Sequence, residues 1–175
     1  MADFETSLKI NPDNYRAHQA LAQAYLSAGR FQEAYATLQN GLRLRVYGPT
    51  HLIQTARLSE SLCRETPADS YYSQLLAAYP RSNWGLFFHY EFLKRQNTPQ
   101  APSAAAHLRQ RDPVLLEGGN LLLEGRYDKA AALFKAHDRD DDFLKLQYLL
   151  WLGIRPGTNP PATSQLPPAS GLTSP

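Results

Sequence analysis

Residues 21–38 read Leu21-Ala22-Gln23-Ala24-Tyr25-Leu26-Ser27-Ala28-Gly29-Arg30-Phe31-Gln32-Glu33-Ala34-Tyr35-Ala36-Thr37-Leu38. Leu21, Ala22 and Tyr25 share one helical face. Gly29 breaks the helix, and Phe31, Ala34 and Leu38 share the face of a second one. This stretch is a helix, a tight turn and a helix. Small residues at Ala22 and Ala34 let the two helices cross closely.

The stretch recurs. Phe4, Leu38 and Tyr72 are 34 residues apart, as are Pro12, Val46 and Pro80, and Ala34 and Ala68. A period of this length marks a chain of stacked units, each too small to bury its own apolar face. Further on, Gly125, Tyr127, Ala130 and Phe134 follow Gly29, Phe31, Ala34 and Leu38 by 96 residues. Three full periods would be 102, so a six-residue deletion aligns all four pairs. The third unit holds it, because its loop and second helix are short.

Working outward gives the organisation. Residues 1–14 supply only the second helix of a unit. Two readings stand: the frame begins inside a longer array, or the lone helix caps this one. Residues 15–137 hold about four units. The first runs from about Tyr15 to Gly48; the second, Pro49 to Ser82, turns at Glu65-Thr66-Pro67. In the third, Asn83 to Gln96 is a helix, residues 97–102 a turn by composition, and Ser103 to Arg111 a short second helix. Asp112 suits an N-cap, with Pro113 in the first turn that follows. Residues 138–154 are a last helix, rich in Phe143, Leu144, Leu146, Tyr148, Leu149, Leu150, Trp151 and Leu152. Its apolar residues cover much of its circumference, so it is expected to pair with a partner or a second copy. From residue 155 the chain is rich in Pro, Ser and Thr, a composition that predicts disorder.

Composition narrows the class. The 175 residues are 43% hydrophobic and 19% charged, with a net charge of +2, which gives no electrostatic case for nucleic acid or an anionic membrane. The single cysteine, Cys63, excludes an intramolecular disulfide framework and a multi-cysteine zinc site. No apolar run reaches the roughly 20 residues that span a bilayer, and residues 1–5 show no signal-peptide pattern. A cytoplasmic location is expected, or a periplasmic one if the chain is part of a longer envelope protein.

Pro12 through Val46 resembles the tetratricopeptide repeat, and Pro49 to His137 resembles it in degenerate form. The residues carrying the likeness are Leu21, Tyr25, Gly29, Ala34, Ala68, Tyr72, Pro80, Gly118, Gly125, Ala130 and Phe134. His18 stands where the family usually has tryptophan, and Ala22 where it has glycine. The resemblance implies an all-α, right-handed superhelix of antiparallel helix pairs, with a concave groove lined by the first helices that holds a peptide or partner protein. The carboxylate clamp of co-chaperone members needs lysines and asparagines. Gln19, Gln23, Gln54 and Arg57 stand at the corresponding positions, which argues against that subfamily.

Helical spacing places Arg16, Gln19, Gln23 and Leu26 on the groove face, then Ile53, Arg57 and Glu60, then Trp84, Phe87 and Glu91. These three rows are the candidate partner-binding strip, with Trp and Arg as its anchors. The competing reading packs Trp84 and Phe87 between neighbouring units. Chemistry is not signalled. The five histidines lack the two-His-and-carboxylate spacing of a metalloprotease. Asp138, Asp140 and Asp142 alternate, but Phe143 and Leu149 occupy the glycine and glutamate positions of a calcium loop. Those acids suit a helix N-terminus. No phosphate-binding glycine loop or nucleophile elbow is present. No catalytic residue, metal or cofactor is therefore expected. The function expected is an interaction scaffold. The alternatives are the repeat portion of a bacterial envelope polysaccharide synthesis or export assembly, and an accessory module of a glycosyltransferase.

Overall fold

The computed structural model describes residues 2–44 and 47–152; the tail expected from residue 155 lies outside them. Ten α-helices form there: α1 (Ala2–Ile10), α2 (Tyr15–Ser27), α3 (Phe31–Arg43), α4 (Pro49–Ser61), α5 (Glu65–Ala78), α6 (Asn83–Arg95), α7 (Ala101–Arg111), α8 (Pro113–Leu123), α9 (Tyr127–Lys135) and α10 (Asp140–Leu152). No strand forms among the described residues. The chain divides into two compact units that part within α5, after Gln74.

One local device ends α2, α4, α6, α8 and α9. Each stops on a residue in the left-handed region: Gly29 at φ 69°, Cys63 at 57°, Asn97 at 51°, Gly125 at 73° and Asp138 at 55°. The next N–H then reaches back five residues to a helix carbonyl: Arg30 to Tyr25 (2.8 Å), Arg64 to Ser59 (2.8 Å), Thr98 to Leu93 (3.1 Å), Arg126 to Leu121 (2.8 Å) and Arg139 to Phe134 (2.9 Å). This is the Schellman closure, which satisfies carbonyls that a helix end leaves without partners. Four of the five donors are arginines. Arg30 lies 4.5 Å over the Tyr25 ring and Arg64 4.8 Å over the Tyr35 ring.

Gly29, Cys63 and Asn97 fall one period apart, and Gly125 comes six residues early. The six missing residues are therefore spread over several elements. α7 has 11 residues where α5 has 14, and α8 has 11 where α6 has 13. Asp112 alone joins α7 to α8, where residues 79–82 join α5 to α6. The turn before α7 is correspondingly longer.

Two local expectations are corrected. Glu65-Thr66-Pro67 is the first turn of α5, and the bend lies just before it at Cys63-Arg64. Proline is tolerated there because the first-turn N–H groups have no intrahelical acceptor. For the same reason α7 begins at Ala101 with Pro102 in its first turn. The caps are otherwise legible: Asn14 accepts from the Ala17 N–H, Ser82 from Gly85 and Asp112 from Leu115.

In the first unit, Ala22, Ala34, Leu38, Leu52, Ala56, Leu58, Ala68 and Tyr72 are buried. Ala22 and Ala34 sit in the close α2–α3 pair, as their size requires. In the second unit, bulk meets absence of bulk. The Phe134 ring covers Gly118 and the Phe87 ring covers Gly119, each so near that a Cβ would collide with it.

Candidate functional site

The candidate side chains lie on the first helices of their pairs, α2 and α4 in the first unit and α6 in the second. Alternate faces of α2 are used differently. Ala17, Leu21, Ala22 and Leu26 are buried, whereas Arg16 is exposed and Gln19 and Gln23 are half-buried. Arg16, Gln19 and Gln23 are three and four apart, so they form one stripe. Leu26, expected on the groove face, belongs to the core.

The middle row is not at the surface. Every residue of α4 from His51 to Ser61 is buried, including Ile53, Arg57 (3% exposed) and Glu60 (5%). Arg57 and Glu60 answer each other: Nη1 lies 3.2 Å from each carboxylate oxygen. The Tyr72 hydroxyl, a repeat-motif position, donates to Glu60 Oε1 at 2.5 Å. Charges taken from water hold only when paired and hydrogen-bonded. Three residues apart on one helical face, Arg57 and Glu60 meet each other in the interior and not at a groove surface.

On α6, Trp84 is half-buried and stacks on Phe88 at 6.4 Å, with the Lys145 ammonium 4.9 Å from its ring centre. Burial pushes the Lys145 ammonium down, partly offset by Asp142. Phe87 is fully buried, with its ring edge-on to Phe88 at 5.2 Å. Glu91 is buried and ion-paired to Arg95 at 2.5 Å.

A second charged cluster was not anticipated from the sequence. Asp112 takes two bonds from the Arg139 guanidinium (2.7 and 3.1 Å), one from the Asn83 amide (3.2 Å) and the capping bond of Leu115. Burial would raise its carboxyl, but these donors outweigh burial and hold it below its ordinary range. Asp138 makes the left-handed turn, and Asp140, Asp141 and Asp142 occupy the first turn of α10. The run of acids thus has a local structural account. The recurrence of arginine one residue after four of the five bends was the sequence signal for this cluster.

Among the described residues, no three His, Cys, Asp or Glu side chains gather as they would around a metal ion. No described helix is long and apolar enough to cross a membrane. On α10, Leu146, Tyr148, Leu149 and Leu152 are buried, and Leu144 is the large apolar side chain exposed there.

A family model for the tetratricopeptide repeat matches residues 1–45. The fold is similar to that of the crystal structure of MamA, at 12% identity, 82% coverage of this chain, 80% of that one and a TM-score of 0.58. It is similar to YrrB, a TPR protein with an unusual peptide-binding site, at 16% identity, 86% and 81% coverage and a TM-score of 0.54. A thermophilic TPR protein from Thermus thermophilus aligns at 24% identity, 78% and 79% coverage and a TM-score of 0.50. No curated protein matches the sequence. The chain thus shares the all-α fold of these solved structures over most of its length, and its residues 1–45 match the tetratricopeptide repeat.

Proposed function

We propose that the protein is a non-catalytic interaction scaffold that takes an extended segment or helix of a partner protein along the first helices of its pairs. The observation that carries this is the division of α2. One of its stripes is consumed by packing, while Arg16, Gln19 and Gln23 line up on another that reaches solvent. Guanidinium and carboxamide groups in one row offer donors and acceptors at helical spacing, suited to a peptide backbone or to acidic side chains. YrrB, with its peptide-binding site, gives a precedent on the same fold.

Arg57, Glu60 and Glu91 serve the scaffold differently in this reading. Their charges are held in ion pairs within their own units, and the partner meets Arg16, Gln19 and Gln23. Trp84, half-buried against Phe88 and the Lys145 ammonium, is the candidate anchor of the second unit.

The test is affinity capture from the native cell extract with wild type and an Arg16→Glu/Gln19→Ala/Gln23→Ala variant, followed by titration of the captured protein. These residues are not core, so circular dichroism should be unchanged. Loss of one specific protein with the variant supports the α2 stripe. Equal affinity for both forms sinks it. Arg57→Glu is unsuitable here, because it sets two carboxylates side by side in a buried site and unfolds the first unit.

A further inference from the structure

Two buried histidines face one another's surroundings where α2, α3 and α4 meet. His18 on α2 points Nε2 at the Pro12 carbonyl at 2.9 Å, and His51 on α4 points Nε2 at the Leu38 carbonyl at 2.8 Å. A carbonyl only accepts, so the ring proton sits on Nε2 in both and Nδ1 carries the lone pair. Each Nδ1 is buried and, among the described residues, has no hydrogen-bond partner. Gly41 of α3 lies between them. A Cβ there would be 2.7 Å from His51 Cε1 and 3.4 Å from His18 Cβ, so α3 passes the pair with no side chain between.

We propose that His51 forms an acid-sensitive latch that holds α3 and α4 together while its ring is neutral and releases them at mildly acidic pH, with His18 of α2 lining the same buried pocket. The geometry supplies the mechanism. A second proton on the His51 ring must go to Nδ1, which is buried and, among the described residues, has no acceptor. A charge placed there is desolvated and lies beside the other imidazole. The described groups around the His51 ring are these. α2 presents His18 and the Tyr15 ring, 5.9 Å from His51 between centroids. α3 presents the Leu38 carbonyl and Gly41. The nearest charge further along α4 is Arg57, already engaged with Glu60.

Burial holds His51 below the ordinary histidine range; the Leu38 carbonyl opposes this and His18 reinforces it. The folded value is thus below the unfolded one. His51 therefore contributes its stability in full above the unfolded value of about 6.5, and loses it as pH falls toward the folded value. Exposed carboxylates ordinarily titrate below this window, and the glutamine variant controls for every other titrating group.

The experiment compares thermal and urea unfolding of the full chain between about pH 7.5 and about pH 5, for wild type and a His18→Gln/His51→Gln variant. A glutamine amide nitrogen can take the place of Nε2, keeping the donor without the titration. The wild type should lose about 5 °C of Tm across the window, while the variant stays level. A level wild type, or an equal loss in both, overturns the latch. Should the variant not fold, amide hydrogen exchange of wild type at the two pH values decides. Protection lost in α3 and α4 ahead of α6, α8 and α9 supports the latch, and uniform or reversed loss overturns it.

Discussion

Cys63 and Gly29 occupy equivalent bends one period apart, and exchanging their residue types isolates what the bend demands. Both are exposed, with φ of 57° and 69°. A Cβ added at Gly29 meets nothing within 4 Å, so Gly29→Cys introduces no clash and changes only the backbone preference. An L-residue held in the left-handed region is disfavoured by roughly 1–2 kcal/mol, while glycine is not. Glycine also loses more backbone freedom on folding, which returns part of that difference. The net expectation is that Cys63→Gly stabilises the first unit by about 0.5–1 kcal/mol and Gly29→Cys destabilises it by about the same amount. The double exchange should then lie near wild type. Urea unfolding under reducing conditions, with unchanged slope m, reads all three. Destabilisation by Cys63→Gly, or a neutral Gly29→Cys, would refute the claim that backbone conformation governs these sites.

Tyr72→Phe removes the hydroxyl that donates to buried Glu60 and should cost about 1–3 kcal/mol by urea unfolding, with loss concentrated in the first unit. Gly119→Ala drives a methyl into the Phe87 ring; despite the better helix propensity, it should destabilise by about 1–3 kcal/mol. The Asp112 carboxyl is held low, so its stabilising effect is complete above about pH 4 and is lost as pH falls through its folded value. Arg139→Ala should flatten that acid limb and lower Tm at neutral pH, as pH-dependent melting would show.

The period itself was legible because packing residues repeat where geometry repeats. Ala34, Ala68 and Ala130 are all fully buried, and Gly29 and Gly125 both make the bends that their type suggests. Cys63 gave no such sign, since cysteine has no particular preference for positive φ, and the bend was sought instead at the more conspicuous Pro67. For the candidate site, helical spacing grouped Arg57 with Glu60 and Arg16 with Gln19 and Gln23. It did not distinguish the two rows, because spacing reports which residues share a face and not whether that face meets water. The His18–His51 pair was hidden for a related reason: its members stand on different helices, and the residue that brings them close is the glycine opposite, Gly41.

The recurrent bends bear on how the chain comes to be folded. Each closes a helix on itself through bonds spanning only five residues, so its formation needs no distant segment. A helix and its successor can meet across a few residues, where loop closure is least demanding. Structure dominated by such short-range contacts forms quickly. During synthesis, α2 and α3 can pair while the residues of α6 are still unmade, which keeps apolar faces such as that of Leu38 covered from the moment they emerge.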